Sequence, residues 1–236
     1  MQVSDLIRYG LWCGIIVTAD GNRRQYGMKT TWLPHLLMNS ITLLLPDAYR
    51  RLAVLEPEEP QPASLPDELR QIAHRTVTAM VCNNPHYVTY VAPLAFGYLL
   101  SSPWFNIYKG QLADIKIAGF GLDALPHTTT AFALCALVCD TVRAAAESAT
   151  SPVLRSALRW SNDHYALVSA IALALATLVW EYGEYHIYQH EMQQRGSREH
   201  INMQWSLSDA LHDCAANTIG WAAAMVWRRV GEGVKG

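Results

Sequence analysis

The segment Ala166–Met192, ALVSAIALALATLVWEYGEYHIYQHEM, changes character at Trp180 and limits the fold more than any other stretch. The residues before Trp180 are nearly all apolar. Those after it include Glu181, Glu184, His186, His190 and Glu191, and no proline separates the halves. A helix over the first half has no polar face to turn toward water, so it belongs in a packed core or in lipid. Only 16% of the chain is Asp, Glu, Lys or Arg, against about 25% for ordinary soluble domains. That deficit favours lipid. A mean hydropathy of only +0.05 then requires short spans separated by polar loops.

Six stretches are expected to enter a bilayer: Leu6–Ala19, Thr31–Leu45, His86–Ser101, Leu122–Val142, Tyr165–Glu184 and Leu207–Trp227. A full crossing takes about 20 residues, which only the last three reach. Between the second and third, Glu56–Pro66 (EPEEPQPASLP) reads as a polar, proline-rich loop, and 66–81 as an amphipathic helix suited to a membrane surface. Trp104, Trp160, Trp180, Trp205 and Trp227 stand near span ends, as interfacial rings do. The expected fold is all-α: a polytopic helical membrane protein of about six spans in a single membrane domain, 1–236. Residues 1–117 hold the N-terminal spans with the amphipathic helix, and 118–230 form a three-helix unit whose last three spans make a compact bundle.

With six spans, ten cations fall on one side (Arg50, Arg51, Arg70, Arg75, Arg143, Arg155, Arg159, Arg228, Arg229, Lys235) and seven on the other (Arg23, Arg24, Lys29, Lys109, Lys116, Arg195, Arg198). The positive-inside rule then places both termini in the cytoplasm and the chain in the cytoplasmic membrane. Membrane lipid is the expected partner, with other membrane subunits an open possibility. A net charge of −2 argues against nucleic acid. Cys13, Cys82, Cys135, Cys139 and Cys214 form no CxxC pair, so neither a disulfide framework nor a zinc ribbon is indicated.

Antiparallel spans bring the start of the fourth, the end of the fifth and the start of the sixth to one membrane face. GLDALPH, WEYGEYH and WSLSDALHDCAANTIGW therefore meet. At 100° per residue, Asp123 and His127 are about 40° apart on their helix. Asp209, Asp213, Asn217 and Gly220 fall within about 80°, so a polar patch grades into small residues fit for close packing. Glu181 and Glu184 share a face, whereas His186 and His190 project from the opposite one. Carboxyl groups inside a membrane domain are costly and mark function. Two arrangements offset their charge: a hydrogen-bonded network without metal, or a divalent cation on Asp123, His127, Glu181, Glu184, Asp209 and Asp213. Its identity is left open. With such an ion, Glu181 or Glu184 is the candidate catalytic base for metal-assisted hydrolysis or group transfer.

These fragments resemble the VanZ-like and YjdF-like families of small polytopic membrane proteins, over about the last 110 residues. The matching positions are Asp123, His127, Glu181, Glu184, Asp209, Asp213, Asn217 and Gly220. The run expected of a close YjdF relative is missing, because Ser206 and Ser208 follow Trp205. The resemblance implies a cell-envelope role and no defined reaction. It leaves three rivals to an enzyme or sensor acting on an envelope component: a non-enzymatic membrane subunit or assembly factor, an ion or proton pathway through His127 and Glu181, and a membrane di-iron oxidase. The last needs about eight convergent histidines. His190-Glu191 lacks the second histidine of a zincin, and no GxSxG is present.

Overall fold

The computed structural model describes residues 3–53, 62, 64–82, 84–117, 119–197, 201 and 205–233. The described residues are almost entirely helical. In chain order the helices are α1 (Val3–Tyr26), α2 (Leu33–Ala53), α3 (Leu65–Val77), α4 (Tyr87–Leu99), α5 (Ala124–Ser148), α6 (Pro152–Asp163), α7 (Tyr165–Arg195) and α8 (Leu207–Gly233). A two-residue antiparallel bridge pairs Lys116–Ile117 with Phe120–Gly121 ahead of α5. All six apolar stretches are helices. Only α5 and α7, however, are both long and apolar enough to cross a membrane, and α4 is apolar but shorter. α8 has the length, at 27 residues, yet Asp209, Asp213, Arg228 and Arg229 dilute it.

Several boundaries depart from the sequence expectation, and α7 runs eleven residues past Glu184, to Arg195. The amphipathic helix runs over Leu65–Val77 rather than to 81, and passes into a wider π turn at Thr78–Cys82. The residues between the fourth and fifth stretches, expected as a loop holding Arg155 and Arg159, form α6. Its start is set by chemistry: Ser151 is the N-cap, its Oγ accepting from the Leu154 amide at 3.4 Å, and Pro152 opens the helix. α3 begins the same way, with the Ser64 Oγ accepting from the Asp67 amide and Pro66 in the first turn. α7 stops at Gly196, whose φ of 66° ends the helix in the left-handed region. Most of Glu56–Pro66, together with Arg198, His200 and Lys235, lies outside the described residues.

The N-terminal half packs α1, α2 and α4 around Ile15, Leu43, Tyr87, Val91, Ala95 and Tyr98. Within it Arg8, 2% exposed, pairs with Asp5 at 2.7 Å and Asp47 at 2.8 Å, which ties α1 to α2. Such an ion is tolerable in an interior only when paired in this way. In the C-terminal half, α5 and α8 run parallel: Thr128 Oγ1 donates to the Ala216 carbonyl at 3.1 Å, and the Phe132 and Trp227 rings meet at 6.3 Å. α7 runs against both, since Asn217 Nδ2 donates to Thr177 Oγ1 at 3.1 Å and Trp221 Nε1 to Ser169 Oγ at 3.2 Å. The halves join where Tyr90 donates to Asp140 and where Met80, Tyr90 and Ala136 pack together.

Candidate functional site

The alternating order of α5, α7 and α8 brings the first turns of α5 and α8 beside the middle of α7, which does not end near Glu184 as expected but continues to Arg195. One ligand atom from each of Glu181, Glu184 and Asp213 lies within 4.8 Å of the others. Glu181 and Glu184, one turn apart on α7, face the first turns of α8. Asp213 is 5% exposed, and His127 from the first turn of α5 brings Nε2 to 3.4 Å from its Oδ1. Two helices therefore supply oxygen and a third supplies nitrogen.

The remaining expected residues sit around this centre. Asp123 is the N-cap position of α5, ahead of the helix rather than in it, and caps no amide with its side chain. Asp209, half-buried, lies in the first turn of α8, where Ser206 Oγ accepts from its amide at 3.1 Å. Neither joins the group of three. Gly220 lies against α5: a Cβ there would meet the Ala131 Cβ at 2.8 Å and the Phe132 nitrogen at 2.9 Å. Asn217, one turn earlier on α8, faces α7 and donates to Thr177 Oγ1 at 3.1 Å.

The environment of the carboxylates is uneven. Glu181 Oε2 accepts from Trp205 Nε1 at 3.0 Å, while Oε1 is buried with no hydrogen-bond partner among the described residues. The side chain of Trp180, one turn earlier on α7, lies close to the Glu184 carboxylate. Tyr108, from the connection before α5, lies close enough to feel the charges of Glu184, Asp123 and Asp213. Burial first, and those carboxylates second, push its phenol well above the usual range. Its hydroxyl donates to the Gly97 carbonyl at 2.9 Å.

The sequence reading took Trp205 and Trp180 as interfacial rings and did not single out Tyr108. An indole two residues ahead of α8 and four ahead of Asp209 was the available signal for Trp205. Nothing in the local pattern around Tyr108 marks it. Glu191 was also passed over: it is fully buried and accepts from Thr30 Oγ1 at 3.0 Å, locking the far end of α7 onto the turn after α1.

The histidines do not gather. His164 stacks on Trp160 at the opposite end of α7, His186 packs against Tyr182 and Tyr185, His190 meets Gln194, and His212 packs edge-on to Phe120. Only His127 reaches the carboxylates among the described residues. Compared with known proteins, the chain matches no family model, no curated protein and no solved structure.

Proposed function

We propose that the chain is an integral protein of the cytoplasmic membrane, with both termini in the cytoplasm. The six helices α1, α2, α4, α5, α7 and α8 are threaded through the bilayer, and the Glu181–Glu184–Asp213 chamber near the outer leaflet binds a divalent cation. The observation that carries this reading is the junction on one helix of a bare apolar stem with a carboxylate head. α7 is long enough to cross, buries few of its residues, and exposes Val179 to 72%. An apolar surface of that extent is stable in lipid and poorly stable in water. The head lies one bilayer thickness from the far end of α5, whose 25 residues span about 37 Å.

Three carboxyl oxygens and a nearby imidazole nitrogen suit magnesium, manganese, zinc or iron. When bound, such an ion supplies a polarised water or polarises a phosphoryl oxygen. The chain's part is to hold it between α7 and α8. Glu181, with one oxygen unpartnered among the described residues, would be the group to take up a proton, while the Trp205 indole fixes its other oxygen. The likeness to VanZ-like proteins supports an envelope component as the substrate or sensed molecule.

The test is metal analysis of detergent-purified protein beside its Asp213→Ala and Glu184→Gln variants. Near-stoichiometric metal in the parent and its loss in both variants supports the reading. A metal-free parent, after purification without chelator from metal-supplemented cells, removes the cation and leaves a hydrogen-bonded chamber.

A further inference from the structure

α6 joins two long apolar helices and exposes an apolar stripe beside the polar residues Arg155, Ser156, Arg159 and Asp163. Leu154 and Leu158 turn inward and are half-buried, and no residue of the helix is fully buried. Val153, Ala157 and Trp160 form a stripe about 60° wide on the outward side, with Val153 exposed to 78% and Trp160 to 54%. The exposed Arg159 lies about 120° round from Val153.

Two further features fix where this stripe sits. Arg228, near the end of α8, donates to Asn162 Oδ1 at 2.9 Å and lies over the Tyr165 ring at 4.4 Å, so α6 ends at the level where α8 finishes and α7 begins. That level is about 22 Å along α8 from Asp213, and the start of α6 follows the far end of α5. α6 therefore lies at the interface opposite the chamber. α3 is fastened to the same place. The buried Glu68 accepts from the Thr150 amide at 2.9 Å, the Thr150 hydroxyl at 2.8 Å and the Ser151 amide at 2.6 Å. α3 shows its own exposed apolar residues, Leu65 and Leu69, and the exposed Arg70.

We infer that α6, with α3 tied to its first turn, is an interfacial platform that seats Val153 and Trp160 at the acyl boundary of an anionic leaflet and sets Arg159 and Arg229 among its phosphates. The occupant is argued from continuity and charge. α7, which follows α6 directly in the chain, exposes Leu167 and Ile171 in its first turns, and the exposed Arg159 and Arg229 complement anionic headgroups. A tryptophan at the rim of such a stripe is the expected interfacial anchor. This inference rests on the membrane reading above.

The test uses the full chain in vesicles of phosphatidylcholine with and without phosphatidylglycerol. With Cys13, Cys82 and Cys214 replaced by serine, a fluorophore is attached at Val153→Cys or, for comparison, at Gln111→Cys in the exposed connection before α5. Spin-labelled lipid should quench the probe at 153 and spare the one at 111; equal exposure of both to water overturns the platform. Native mass spectrometry of the parent and of Arg159→Gln/Arg229→Gln reads the lipid preference. Retained phosphatidylglycerol should fall relative to phosphatidylcholine by roughly thirtyfold in the double variant. An unchanged ratio overturns the headgroup assignment. Carbonate extraction separates the two failures: a chain released by carbonate refutes the membrane reading, whereas a retained chain without quenching at 153 refutes the platform alone.

Discussion

Gly220 shows how a single missing side chain decides the spacing of the C-terminal bundle. The three nearest atoms a Cβ would strike all belong to α5, the Thr128 carbonyl oxygen, the Ala131 Cβ at 2.8 Å and the Phe132 backbone nitrogen at 2.9 Å, and a backbone atom cannot swing aside as a flexible side chain can. Gly220→Ala must push α5 and α8 apart, which for overpacking costs about 1–3 kcal/mol. Asn217→Ala, one turn away, loses a single hydrogen bond to Thr177, worth about 0.6 kcal/mol between membrane helices. The expected order of damage in detergent unfolding is therefore Gly220→Ala well ahead of Asn217→Ala. Because α5 carries His127 and α8 carries Asp213, the glycine variant should also loosen the chamber, and metal content should fall with stability. Equal stability of Gly220→Ala and the parent would mean that the two helices are not held at this distance.

Among the elements, α3 and α6 are held together by one carboxylate, and this gives the junction a pH signature. Hydrogen bonds from the Ser151 amide first, with further ones from Thr150, hold the Glu68 carboxyl down to about 2 from its ordinary value of about 4.5. A carboxyl depressed on folding stabilises the fold above its unfolded pKa, and that contribution is lost as the pH falls through the folded value. The junction should thus be at full strength above about pH 4.5 and weaken between there and about pH 2. Glu68→Gln keeps an acceptor for the same donors but carries no titrating charge. Its melting temperature should fall less steeply than the parent's across that window, and parallel curves would show that Glu68 does not link folding to pH. The same elements mark what the sequence could and could not disclose. Ser64-Leu65-Pro66-Asp67 announces α3 because a cap, a proline and an acidic first turn are local chemistry. Ser151-Pro152 carries the same signal for α6, yet the two arginines and the polar end of that stretch read as a charged connection between spans. The meeting of α5, α7 and α8 was legible because antiparallel order needs only the number of spans between two segments. Tyr108 was not, because its approach depends on how a long irregular connection folds back.

At the scale of the whole molecule, the decisive question is what covers the bare side of α7. Leu175, Leu178 and Val179 stand exposed on it, and the fold offers no further helix to cover them among the described residues. In water, an exposed leucine changed to lysine alters stability by no more than about 0.5 kcal/mol and tends to improve solubility. In a bilayer, the same change places an ammonium group at mid-span and costs about 2.5–3.5 kcal/mol on insertion scales. Leu175→Lys therefore moves in opposite directions in the two settings. The expected outcome is a lower yield of the variant in the carbonate-resistant membrane fraction, with Ser197→Lys, beyond the end of the helix, left at the parent's level. Rising soluble yield of Leu175→Lys would place α7 in water. The chamber would remain even then, because Asp213 is 5% exposed and packed among α5, α7 and α8, and its carboxylates would owe their cost to burial in the protein rather than to lipid.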